Sequence, residues 1–216
     1  MPDSRSRLNN YLASRHLSNE AVALSSDAST REYFRIRWHG ESAVACVYPE
    51  PFVAGEQTYL DVSGLFRSNG IPVAEILDFD EELGVIVQED LGDTILRDVL
   101  SAADAETKDR LLNDAIKLIA RIQKATAAAF DAGSIASRLR FDTEKLLWEL
   151  DFFTEHYFKS FRKIDLSAEV AARLRGEFAE LCQELESRAK VLCHRDFHAA
   201  NLMVDSAGHL RIIDHQ

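Results

Sequence analysis

Cys193-His194-Arg195-Asp196-Phe197-His198-Ala199-Ala200-Asn201-Leu202-Met203 is the densest run of polar, chemistry-bearing residues in the chain, and its reading decides the fold. It lies between two apolar runs, Val191-Leu192-Cys193 and Leu202–Val204, so it is expected to be a loop held between strand-like segments. Leu210–Ile213 follows Asp205-Ser206-Ala207-Gly208, whose residue types suit the turn of a hairpin. With that turn centred between Ala207 and Gly208, Asn201 stands opposite Asp214. Neighbouring strands lie about 5 Å apart, which lets the Asn201 oxygen and the Asp214 carboxylate share one cation. Hard oxygen donors of this kind, few in number, suit Mg²⁺ bound to phosphates. Asp196, five residues before Asn201, then faces the same space as a free carboxylate.

Those three groups are what phosphoryl transfer requires. One carboxylate accepts a hydroxyl proton, while an amide and a second carboxylate hold the metal. The order His194-x-Asp196-x4-Asn201 has the spacing of a kinase catalytic loop. Accident produces H-x-D-x4-N roughly once in a hundred chains of this size. The plain alternatives are a turn-capping Asp196, a turn residue at Asn201 and a strand-end Asp214. His194 is expected to pack and bond the backbone. His198, with His209, Asp214 and His215, sets up a rival chemistry, a metal-dependent hydrolase in which a bound water is the nucleophile. Against it, the hairpin carries His209 to its turn end, away from Asp214.

The segments upstream divide into two textures. Ser4–His16 places Leu8, Tyr11 and Leu12 on one helical face. Strand-like runs follow at Ala21–Ser25, Tyr33–Trp38, Ser42–Tyr48, Glu75–Phe79 and Gly84–Glu89, with a helix expected over Gln57–Arg67. After Asp90-Leu91-Gly92-Asp93 the pattern becomes helical: Ala103–Phe130, Phe141–Phe158 and Leu166–Ala189. The expected architecture is α+β and two-lobed, a small antiparallel-sheet lobe over 1–90 and a mainly helical lobe over 91–216. A chain that stops three residues after the apolar strand ending at Ile213 reads as truncated, its helical lobe incomplete.

Four stretches carry a resemblance: Leu24 to Arg35, Gln88 to Asp93, His194 to Met203, and Ile212 to Gln216. In that order they resemble the aminoglycoside phosphotransferase family, the small-molecule branch of the protein-kinase-like fold, and within it the bacterial kinases that phosphorylate N-acetylmuramate and N-acetylglucosamine at the anomeric hydroxyl. The resemblance implies ATP and Mg²⁺ as cofactors, Asp196 as catalytic base, and Asn201 and Asp214 as magnesium ligands. It implies that the stretch from Ser25 to Arg31, with Ser29 in it, covers the nucleotide, and that the backbone of Gln88, Glu89 and Asp90 meets the adenine edge. The third strand, Ala43 to Tyr48, has no Lys for the phosphates. Arg31 or Arg35 is expected to supply that charge. The missing Lys also leaves open a nucleotide-binding module without turnover.

Composition narrows the partners. The chain has 216 residues, with 25 Lys and Arg against 36 Asp and Glu, a formal charge of −11 that gives no bulk attraction for nucleic acid or anionic lipid. No apolar run approaches a membrane span, and the polar N-terminus does not read as a signal peptide. Cys46, Cys182 and Cys193 form no framework. A cytoplasmic protein acting on a small-molecule acceptor is the expectation, the resemblance implying an amino sugar, with the oligomeric state open. No G-x-x-x-x-G-K-[ST] or G-x-G-x-x-G occurs, which argues against a P-loop or Rossmann site.

Overall fold

In the computed structural model, residues 3–24 and 30–215 are described. They form two compact units, one from Met1–Ala136 with Leu192–Gln216 and one from Ser137–Val191.

The first unit begins with α1 (Ser4–Ser14), whose N-terminus is closed by the Asp3 carboxylate accepting from the Ser6 N–H at 2.8 Å. Five strands follow: β1 (Ala21–Leu24), β2 (Glu32–Trp38), β3 (Glu41–Val47), β4 (Ile76–Asp80) and β5 (Val85–Glu89). They make one antiparallel sheet in the order β1-β2-β3-β5-β4. Alternation along each strand gives the sheet two different faces. Phe34, Ile36, Ala43, Ala45, Val47, Val85 and Val87 pack under Leu8, Tyr11 and Leu12 of α1. Those three side chains are fully buried, each contributing roughly 1.5–3 kcal/mol relative to exposure. Tyr33, Arg35, Val44, Cys46, Tyr48 and Gln88 line a cavity instead. Arg7 of α1, also buried, donates to the carbonyls of Leu83 (2.8 Å), Tyr48 and Pro49 (3.3 Å). Beside it Gly84 sits at φ +63°, where a Cβ would come within 2.7 Å of the Glu50 carbonyl oxygen, so the turn requires glycine.

Helices complete this unit: α2 (Thr58–Ser68), α3 (Leu96–Ala102), α4 (Ala105–Lys124) and α5 (Thr126–Asp131). In α4, Leu111, Ala115, Leu118 and Ile122 form the buried stripe. They share a core with Val62, Phe66 and Ile71 around α2, and with Leu202, Leu210 and Ile212 of the short hairpin β6 (Leu202–Val204) and β7 (Leu210–Ile212). The second unit pairs α6 (Thr143–Thr154), extended by a π-helical stretch Glu155–Phe161, with α7 (Ala168–Arg188). Asp142 and Ser167 cap the two helices. Arg175 to Asp151 (3.1 Å) and the Thr143 N–H to Glu186 (2.8 Å) bind α6 and α7 together.

Two sequence expectations change, and one helix is added. The helix expected over Ala103–Phe130 is two helices, because the Thr126 hydroxyl donates back to the Gln123 carbonyl (2.6 Å) and accepts the Leu192 N–H (2.9 Å). That same bond is why Val191-Leu192-Cys193 is not a strand: its backbone is held by a side chain rather than a ladder. The seven-residue α3, with no side-chain N-cap, carries too little periodicity to be read beforehand.

Tyr11 and Arg15 both donate to Asp78 Oδ2, each at 2.7 Å. Burial alone would raise this carboxyl, but the bonds from Arg15 and Tyr11 outweigh it and hold it below the ordinary value. A depressed folded value gives stability that is complete above the unfolded value, near 4, and is lost as the pH falls through the folded one. Asp78→Ala is therefore expected to cost about 1–3 kcal/mol in urea unfolding at pH 7, with the gap to wild type narrowing below about pH 4.

Candidate active site

The loop from Cys193 to Asn201 is fixed at both ends by one residue. The Ile213 N–H donates to the Asn201 carbonyl (3.1 Å), and the Ile213 carbonyl accepts from His194 Nε2 (2.9 Å). His194 is 6% exposed and stands edge-on to Phe197, its ring centroid 5.8 Å away. Burial lowers its basicity more than the Ile213 bond restores it, so the ring serves as a neutral donor. Further along, the Arg97 N–H bonds the Ala199 carbonyl (3.0 Å) and the Val204 N–H bonds the Thr94 carbonyl (2.8 Å), which seats loop and hairpin against the start of α3. Arg195 and Asp214 both have left-handed backbones, at φ 72° and 57°, as sites that aim side chains often do.

The hairpin register differs from the expectation by one residue. Leu202 pairs with Ile212, Met203 with Arg211 and Val204 with Leu210, so Asn201 faces Ile213 rather than Asp214. The cause is the turn. Asp205 Oδ1 accepts the N–H groups of both Ala207 (3.0 Å) and His209 (2.9 Å), and the Asp205 N–H closes on the His209 carbonyl (2.9 Å), which centres the loop on Ala207. Asp214 lies one residue beyond the pairing.

Asp196, Asn201 and Asp214 nevertheless border one cavity of about 1080 Å³, with Arg31, Arg35, Gln88, Glu89 and Asp90 on its other walls. Ser29 and the stretch from Ser25 lie outside the described residues. Asn201 Nδ2 donates to the Asp196 carbonyl (3.0 Å) and to Asp196 Oδ2 (3.2 Å). With its nitrogen so committed, the amide turns its oxygen the other way. Arg31 Nη2 lies 3.3 Å from Asp214 Oδ1, with its guanidinium 5.9 Å from the Tyr33 ring centre and 5.8 Å from that of Tyr48. An amide oxygen and a carboxylate bordering one cavity are the kind of hard donors that would suit Mg²⁺ bound to phosphates.

Arg35 is differently placed. It pairs with Asp90 (2.7 Å) and with Asp93 (2.8 Å). Burial would raise the Asp90 carboxyl, but the bonds from Arg35, Ser42 and the Gly92 N–H keep it lowered. Gln88 Oε1 accepts from the Tyr59 hydroxyl. The Glu89 carboxylate is bound by Arg211 (2.5 Å), and its N–H by the Glu75 carbonyl (2.8 Å). The positions on β3 that face the cavity are Val44 and Cys46, followed by Tyr48, and none supplies a cation. The tyrosines beside Arg31 and the Glu89–Arg211 pair were missed from sequence. Strict alternation would have put Tyr33, Cys46 and Tyr48 on one face.

The hydrolase arrangement does not form. His209 points to Asp205 at the turn, 3.8 Å away. His215 is 1% exposed, bonded to the Ser63 hydroxyl at 2.8 Å between Tyr59 and Phe66. Among the described residues, no three of His, Cys, Asp or Glu gather to hold a metal.

Residues 20–216 match the phosphotransferase enzyme family. The chain belongs to that family. It is 30% identical over 195 residues to an N-acetylmuramate/N-acetylglucosamine kinase of Neisseria meningitidis serogroup B, covering 88% of this chain and 54% of that protein. It is also 30% identical over 185 residues to the protein of the same name from Pseudomonas aeruginosa, covering 86% and 52%. This phosphotransferase-family chain thus spans about half the length of the curated relatives it matches. Among solved structures, an aminoglycoside phosphotransferase-like protein of Ralstonia eutropha superposes with a TM-score of 0.66 at 12% identity, over 97% of this chain and 63% of that one. An aminoglycoside phosphotransferase in ternary complex with streptomycin and ATP gives 0.58 at 16% identity, over 100% and 71%. The fold is the two-lobed kinase-like one.

His194→Phe keeps the packing against Phe197 and removes the donor to Ile213. A loss of about 1–3 kcal/mol in urea unfolding is expected, with faster hydrogen exchange at the Ile213 amide. Unchanged exchange there would mean that His194 does not hold the loop.

Proposed function

We propose that the protein transfers the γ-phosphoryl group of ATP to a hydroxyl of a small acceptor, and that the acceptor is a reducing amino sugar of the N-acetylmuramate and N-acetylglucosamine kind. The observation that carries the first part is the single cavity shared by Asp196, Asn201 and Asp214, with the Asn201 amide pinned to Asp196. The amino sugar rests on the two relatives named above.

In this reading Asp196 takes the proton from the acceptor hydroxyl as its oxygen bonds the γ-phosphorus. The bond from that phosphorus to the β–γ bridging oxygen breaks, and ADP leaves. A positioned carboxylate base contributes about 10²–10⁴-fold. Mg²⁺, held by Asn201 and Asp214, would neutralise phosphate charge and orient the nucleotide. Arg31 supplies the cation that β3 lacks, released from Asp214 toward the phosphates, while Arg35 shapes the wall by holding Asp90 and Asp93. Gln88, Glu89 and Asp90 border the adenine side, and Ser29 belongs to the nucleotide cover. Residues 1–90 act as the nucleotide lobe and 91–216 as the catalytic lobe. We place the reaction in the cytoplasm, where ATP is supplied. No helix among the described residues is long and apolar enough to cross a membrane, and the three cysteines are unpaired.

The cation-free cavity face of β3 favours one rival, a nucleotide-binding module without turnover. ADP release with Mg·ATP, measured across N-acetylmuramate, N-acetylglucosamine, glucose, kanamycin, choline and homoserine, separates the two. Turnover with the amino sugars, yielding an acid-labile 1-phosphate, is expected. Turnover with another acceptor alone would discard the amino sugar, and nucleotide binding without any turnover would favour the module. Asp196→Asn is expected to lower transfer at least 100-fold with Mg·ATP affinity intact, whereas Asp214→Asn weakens metal-dependent nucleotide binding itself. Equal, mild effects from both would contradict these roles.

A further inference from the structure

His198 has no part in the mechanism above, yet its ring stands between two groups that matter. Its Nδ1 accepts the Ala200 N–H at 3.2 Å. An acceptor at Nδ1 fixes the neutral ring with its proton on Nε2. That Nε2 lies 3.3 Å from Asp196 Oδ1. The other oxygen, Oδ2, is the one that Asn201 Nδ2 holds. One carboxylate oxygen is thus bonded by Asn201 and the other has the His198 ring nitrogen 3.3 Å away, both partners coming from the turn that follows it. The His198 side chain is 51% exposed and the Asp196 side chain 64%, so neither is fixed by burial. An exposed carboxylate otherwise rotates among several orientations, and only some direct a lone pair at an incoming hydroxyl.

We propose that His198 is a positioning residue for Asp196: the loop N–H of Ala200 aims the ring, the ring holds Oδ1, Asn201 holds Oδ2, and the base keeps one orientation toward the acceptor hydroxyl. This rests on Asp196 being the base. The proposal expects this 3.3 Å contact to close into a hydrogen bond when nucleotide and acceptor bind. The competing account is local: His198 only satisfies the Ala200 N–H and has no bearing on Asp196.

Two substitutions split these accounts, because each copies one nitrogen. His198→Asn keeps an acceptor near the place of Nδ1 and cannot reach Asp196. His198→Gln places an amide N–H at the same number of bonds from Cα as Nε2 and reaches Asp196. The proposal expects His198→Asn to lower kcat about tenfold to a hundredfold, with KM for ATP and acceptor within about twofold, and His198→Gln to recover most of the loss. Wild-type kcat in His198→Asn, or a Gln variant no better than Asn, would overturn it. A readout independent of turnover is the nitrogen-15 spectrum of the histidine rings in the whole protein. His198 is expected as the Nε2–H tautomer, its Nε2 resonance shifting in Asp196→Ala. An Nδ1–H tautomer, or no shift, overturns the proposal even if no acceptor is found. Full transfer by Asp196→Asn would instead remove the base assignment on which it rests.

Discussion

The peptide groups of Ile213 are the constraint on which the site depends. Its N–H takes the Asn201 carbonyl and its C=O takes His194, so both ends of an eight-residue loop are tied to one point. Asp214 is the next residue in the chain. The two groups proposed to share a cation, and the proposed base that precedes both in sequence, are thereby placed by one backbone unit. The His194 bond is partly buried, and a carbonyl left there without its donor costs more than an exposed one. The neighbouring Ile212 is fully buried in the core and its N–H is bonded to the Pro72 carbonyl, which anchors the strand end to the segment after α2.

Around that point the charges are distributed by wall. Arg31 sits over Tyr33 and Tyr48 and meets Asp214, whereas Arg35 is enclosed by Asp90 and Asp93. A guanidinium with two carboxylate partners is a structural element, holding the segment after β5 against β2. Arg31 instead reaches from the β1–β2 side of the cavity to Asp214 at 3.3 Å, beside the residues proposed to meet the phosphates. In the proposed reaction, Arg31 is the cation that a sheet with no lysine on its cavity face offers to phosphate. The chain's −11 charge is no obstacle to that proposal, in which phosphates would meet local cations rather than the molecule's mean field.

Much of this was legible in the residues. The β-strands followed their alternation to within a residue or two, because one face needed apolar side chains for α1. The loop from His194 to Asn201 was legible because its residue types and spacing leave few other chemistries. What was not legible depended on single side-chain bonds. The Asp205 carboxylate moved the hairpin register by one residue, and the Thr126 hydroxyl broke a helix and took the Leu192 N–H from any ladder. The roles of Arg31 and Arg35 could not be separated by sequence, since both stand on the same approach and only the carboxylates across the cavity distinguish them. The histidines after Asp196 suggested a metal site until burial withdrew His215 and the turn withdrew His209.

The most direct test is a crystal structure with Mn²⁺ and a non-hydrolysable ATP analogue, reading the anomalous signal of the metal. The account predicts a peak in contact with both the Asn201 side-chain oxygen and the Asp214 carboxylate, with Arg31 moved from Asp214 to the phosphates. A peak held by His198, His209 or Asp205, or a nucleotide bound with Arg31 still on Asp214 and no metal between, would contradict it.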